Sequence, residues 1–139
     1  MAVTQCHGFP LATLWLALLV SGVVFADDQV AKEVHLIEDT SQLIASNVRF
    51  SRFDPFKLDA RERVLKRAEG KAVIVVITDQ RILGYGVLSG WRPLDLLAGE
   101  KAIKISAEDF AGLIITNKRY LNFNGQSGVF ALQNRGVVR

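Results

Sequence analysis

The feature that most constrains this chain is an internal repeat. Shifted by 38 positions, residues 62–85 (ERVLKRAEGKAVIVVITDQRILGY) align without a gap on residues 100–123 (EKAIKISAEDFAGLIITNKRYLNF). Six of the 24 positions are identical: Glu62/Glu100, Lys66/Lys104, Ile77/Ile115, Thr78/Thr116, Arg81/Arg119 and Leu83/Leu121. Average residue usage would give roughly one or two. A third copy is read 32 residues upstream of the first, where residues 43–53 (LIASNVRFSRF) align on residues 75–85. On that alignment Arg49, Arg81 and Arg119 occupy one place in every copy.

Each copy reads as β-strands. Val73–Thr78 is a β-branched run, VIVVIT, suited to a strand buried on both faces. Asp79-Gln80 is a tight-turn candidate, and residues 81–85 then return as the second arm of a hairpin. Asn117-Lys118 repeats the turn. Gly84 and Gly86 are read as breaks or bulges within the strand. Shorter strands precede each hairpin at 64–66 and 103–105. Others follow at 91–96 and 129–132, with 56–58 serving the first copy. Residues 58–69 have a helix-favouring composition, but their aligned copy alternates like a strand, so a strand is expected. About four strands per copy, twelve in all, describe an all-β fold.

One such unit cannot cover both its faces, so copies must pack on one another. The unit resembles a blade of a β-propeller: a short strand, an apolar hairpin and an outer strand in about 40 residues. The resemblance is generic and carries no family-specific residues. Propellers use typically 4–8 blades, so three copies imply an incomplete domain, or one completed by another copy of the chain. The alternative architecture is a β-trefoil, which also has three copies of four strands and closes with three.

All 17 basic and 14 acidic residues lie beyond residue 26. Residues 1–26 contain 18 apolar residues and no Lys, Arg, Asp or Glu. They read as a signal peptide cleaved after Ala26, leaving 27–139 as a single β-repeat domain. The alternative is an uncleaved anchor at residues 9–26, near the ~20 residues that span a bilayer. Its n-region lacks the usual positive charge. Either reading exports residues 27–139, to the periplasm or outside the cell. The only cysteine, Cys6, lies in the leading segment, so the domain has neither a disulfide framework nor a cysteine zinc site.

Catalytic sets are scarce. His35 is the only histidine after residue 26, and neither a G-x-S-x-G elbow nor a Walker A loop occurs. No cofactor or metal is expected. Glu108-Asp109 is an acidic pair that a carboxylate-dependent hydrolase could use, though it reads as a solvated turn. Asp54, before Pro55, reads as turn punctuation. The net charge of +3 mixes both signs, which does not suggest nucleic-acid binding. Arg49, Arg81 and Arg119, if arranged about an axis, could bind an anion. An Arg just after a turn can equally bond within its own unit. Trp91 could stack on a sugar, as in a carbohydrate-binding trefoil, or pack between repeats. The expectation is an exported, non-enzymatic binding or assembly module. Its partner would be itself or another exported protein, and its candidate ligand contacts are these three arginines and Trp91.

Overall fold

The computed structural model describes residues 31–136. Among these residues there is no helix. Eleven strands form three antiparallel sheets, each a meander in chain order. The first unit holds β1 (Val34–Asp39), β2 (Gln42–Asn47) and β3 (Arg52–Lys57). The second holds β4 (Val64–Glu69), β5 (Val73–Thr78), β6 (Arg81–Gly86) and β7 (Gly90–Asp95). The third holds β8 (Ala102–Glu108), β9 (Ala111–Thr116), β10 (Arg119–Asn124) and β11 (Val129–Asn134). Of the helix-favouring stretch 58–69, only Val64–Glu69 is a strand, β4, where pairing with β5 outweighs the intrinsic preference of its residues.

The repeat is real, but its third copy lies in a different register from the 32-residue offset. Three backbone bonds mark one place in every unit: Val48 N–H to Glu33 O, Val87 N–H to Ala72 O, and Gly125 N–H to Phe110 O. The first unit is therefore offset by 39 residues, and β1 is the counterpart of β5 and β9. Thr40-Ser41, Asp79-Gln80 and Asn117-Lys118 are the equivalent two-residue turns. A counterpart of β4 in the first unit would fall before residue 31, outside the described residues. So do the leading apolar segment and the cleavage expected after Ala26. No helix of the described residues is long and apolar enough to cross a membrane.

The units stack face to face, with the second in the middle. Every residue of β5 is buried, as its unbroken β-branched run requires, while β2, β9 and β10 alternate between buried and open positions. Ile74, Val76, Leu83 and Tyr85 meet Val34, Leu43 and Ala45 of the first unit. Val75, Ile77 and Ile82 meet Ile114 and Leu121 of the third. Each Val, Leu or Ile among them contributes about 1.5–3 kcal/mol when fully buried. Backbone bonds tie successive units, from Glu33 N–H to Lys71 O (2.7 Å) and from Ala72 N–H to Asp109 O (2.8 Å).

The glycines of β6 do not mark bulges, since both of its pairings run without a register shift. They admit the third unit: a Cβ on Gly84 would stand 2.7 Å from the Phe123 ring, and one on Gly86 1.8 Å from Gly125 O. The irregularities lie instead at matching places in β4 (Val64/Lys66) and β8 (Ala102/Lys104). No barrel closes among the described residues. Three antiparallel meanders of three or four strands are compatible with a propeller-like or a trefoil-like all-β fold.

Candidate functional site

The repeated Glu, Thr and Arg build a clasp beside the hairpin turn in the second and third units. Thr78 ends β5 and Arg81 begins β6. The Thr78 hydroxyl donates to Glu62 Oε1 (2.7 Å), Arg81 donates to both Glu62 oxygens (Nε 2.9 Å, Nη2 2.7 Å), and Asp59 N–H donates to Oε2 (2.8 Å). The third unit repeats this around Glu100. It accepts from Thr116 (2.7 Å), from Arg119 (Nε 2.8 Å, Nη2 2.9 Å) and from Leu97 N–H (2.8 Å). Burial pushes both carboxyls up. Bonds from the arginine, the backbone N–H and the threonine outweigh it and hold both below the ordinary glutamate value. Glu62 in turn holds the Arg81 guanidinium above its usual range. Carboxylates this fully engaged have no free oxygen for acid–base chemistry.

Arg49 does not belong with the other two arginines. It lies in the β2–β3 turn, at the opposite end of the sheets from the turns that place Arg81 and Arg119. There it faces Glu33 (3.7 Å) and the Phe50 ring. The counterpart of Arg81 in the first unit is Gln42, bonded to Asp39 (3.3 Å) at the threonine position. The three arginines therefore form no ring.

Trp91, in β7, fills the joint between the first two units. Its indole N–H donates to Asp54 O (2.8 Å), and its ring meets Phe56 and Tyr85 at 5.6 and 5.1 Å between centroids. Asp54 is a β3 residue rather than turn punctuation, and its carboxylate accepts the Tyr85 hydroxyl and pairs with Arg52. Asn47 completes the network, donating from Nδ2 to the Tyr85 oxygen (2.8 Å) and Val87 O (2.9 Å). Burial first, and the Asp54 bond second, push the Tyr85 phenol up to about 12. Glu108 and Asp109 are exposed at the β8–β9 turn, where Asp109 has φ 42°. His35 is exposed on β1, and no group of three or more metal-ligating side chains occurs among the described residues.

With these polar groups engaged inside the stack, its two ends are among the surfaces left over. One face of the third unit presents Leu113 and Tyr120, each 41% exposed, beside Ile115, Asn122 and Asn124. One face of the first presents Ile37 (45% exposed) and Phe53 (67%), beside Ile44 and Ser46. Leu113, Ile115 and Tyr120 repeat Val75, Ile77 and Ile82, which the second unit buries against the third. Ile37 and Ile44 likewise repeat Val76 and Leu83. Sequence reasoning passed over these faces. The repeat did contain the signal, because Leu113, Ile115, Tyr120, Ile37 and Ile44 keep apolar side chains at the counterparts of buried positions. In comparisons with known proteins, no family model matches the chain and no curated protein is similar to it.

Proposed function

We propose that the chain is an exported, non-enzymatic β-repeat protein that works as an assembly module, joining other protein through the ends of its stack. The observation that carries this reading is the persistence of large apolar side chains at Leu113, Tyr120, Ile37 and Phe53, on sheet faces that no other sheet covers among the described residues. Terminal units of a stack are ordinarily made polar to end it, and exposed apolar faces of this kind mark interaction surfaces. The uncharged apolar start of the chain supports export, and a domain free of cysteine suits an oxidising compartment. The engaged state of Glu62 and Glu100 supports a structural role for the repeated charged groups.

The test is the native size of the exported protein in its own source, comparing wild type with Leu113→Asp/Tyr120→Asp. The wild type is expected to migrate as an assembly larger than one chain, and the variant as one chain. Equal sizes for the two would refute the reading.

A further inference from the structure

The repeat specifies what an end face should meet. At each internal joint the same face of one unit, carrying Leu43/Ala45/Asn47 or Ile82/Gly84/Gly86, packs on the opposite face of the next. The open face of the third unit is the next member of that series, and the open face of the first is the member it would pack on. We propose that the occupant is a second copy of this chain. The third unit of each copy seats on the first unit of the other, and the pair closes as a two-fold ring of six sheets. This rests on the assembly reading above and names its partner.

A polar contact at the joints supports it independently. Asn47 accepts Phe50 N–H on Oδ1 (3.2 Å), which leaves Nδ2 to cross the first joint to Val87 O. The second joint uses the equivalent carbonyl, where the Ser89 hydroxyl donates to Gly125 O (3.2 Å). Asn124 occupies the place of Asn47 in the third unit. Its Oδ1 likewise accepts turn N–H groups, from Gln126 (2.9 Å) and Ser127 (3.2 Å). Asn124 is exposed, and among the described residues its Nδ2 has no protein acceptor. Val48 O of a second copy is the carbonyl at the matching place. At one contact of the joint side-chain bulk also fits. Gly84 makes room for Phe123, whereas Asn122, at the Gly84 place, would face Ser46, at the Tyr85 and Phe123 place. Six sheets fall within the usual range for closed propellers, and a two-fold pair leaves neither end face open.

The test is light scattering on the full chain recovered in exported form, from 1 to 100 µM. Leu113→Asp removes the apolar contact. Asn124→Asp keeps the oxygen that caps the turn, removes the donor and sets a carboxylate against the facing carbonyl. Circular dichroism and melting of each variant check that it folds. A mass of two protomers supports the inference if Leu113→Asp runs as one protomer and Asn124→Asp weakens association on the order of tenfold to a hundredfold across the two joints. Ile37→Asp, on the facing surface, should act as Leu113→Asp does. A single protomer at all concentrations overturns the inference. So does a dimer indifferent to these variants, or a mass that keeps growing with concentration. A purified monomer alongside a large native assembly sensitive to Leu113→Asp/Tyr120→Asp would leave the assembly reading standing and remove the second copy. Absence of both would remove the reading itself.

Discussion

Replacing Glu100 with Gln tests whether the clasp stabilises the fold as its geometry implies. Oε1 accepts Thr116 and Arg119 Nε, and Oε2 accepts Leu97 N–H and Arg119 Nη2. Glutamine keeps one oxygen, so either orientation of its amide loses two of the four bonds and sets an NH2 against two donors. Arg119, whose side chain is 7% exposed, is then left without its counter-ion. Removing one partner of a buried pair costs about 3–5 kcal/mol, mostly because the other charge is stranded. Glu62→Gln makes the same change where Arg81 is 17% exposed and keeps Asp59 at 3.5 Å. It should cost about 1–3 kcal/mol. In a domain of this size a loss of 1 kcal/mol lowers Tm by about 4 °C, so Glu100→Gln should fall by about 12–20 °C.

Urea unfolding followed through Trp91 fluorescence, repeated at decreasing pH, reads both effects. Both carboxyls sit below the ordinary glutamate value of 4.5 in the folded chain, so the unfolded state takes up these protons first. Their contribution is complete above pH 4.5 and is lost as pH falls through the folded value. Wild type should therefore weaken on acidification, and Glu100→Gln should weaken less steeply from its lower starting point. A Glu100→Gln variant within about 1 kcal/mol of wild type, or less damaged than Glu62→Gln, would refute the buried-clasp account.

Two further predictions concern the joints. Gly84→Ala should destabilise by about 1–2 kcal/mol in urea unfolding: overpacking against the Phe123 ring costs ~1–3 kcal/mol, and only part is offset by the ~0.4–1 kcal/mol gained from a less flexible unfolded chain. Gly84→Ala/Phe123→Leu should be more stable than the sum of its parts, and simple additivity would show that the two residues do not meet. Spectrophotometric titration should show a tyrosine step at about 12 that Tyr85→Phe abolishes. Because the folded value is raised from 10.0, the Tyr85 contribution is intact below pH 10 and is lost towards pH 12. That loss is about 3 kcal/mol by linkage, and an alkaline stability curve identical in wild type and Tyr85→Phe would argue against it.

The legibility of this fold divided along a physical line. Local patterns were enough for the hairpins: VIVVIT in Val73–Thr78 could only suit a strand covered on both sides, and the turn pairs Asp79-Gln80 and Asn117-Lys118 fixed where each chain reversal falls. The glycines could not be read correctly from their own strand. Gly84 lies in an unbroken ladder, and its reason is the Phe123 ring of another sheet. The first unit was misaligned for a related cause. Its clasp residues are replaced by Asp39 and Gln42, so the motif Thr-x-x-Arg is lost where the fold keeps it. Meanwhile Ser46-Asn47-Val48-Arg49 imitates it at the far end of the sheet. Matching residues by chemistry therefore followed the imitation, whereas the backbone bonds at Val48, Val87 and Gly125 follow the fold.

That difference matters for the site as well as the topology. In the wrong register Arg49 joins Arg81 and Arg119 and suggests an anion site, while Asn47 and Asn124 have nothing in common. In the correct register the arginines separate. Two of them belong to clasps that close their own hairpins, and the two asparagines fall into one place, one at a filled joint and one at an open face. Both clasp arginines also touch the preceding unit, Arg119 by donating from Nη2 to Asp95 O (2.9 Å) and Arg81 by lying over the Phe56 ring, so they are fully engaged inside the molecule. Asn47 reaches across a filled joint to Val87 O, whereas Asn124 stands exposed at the equivalent place, so a second chain seated on that face would give Asn124 the role that Asn47 already has.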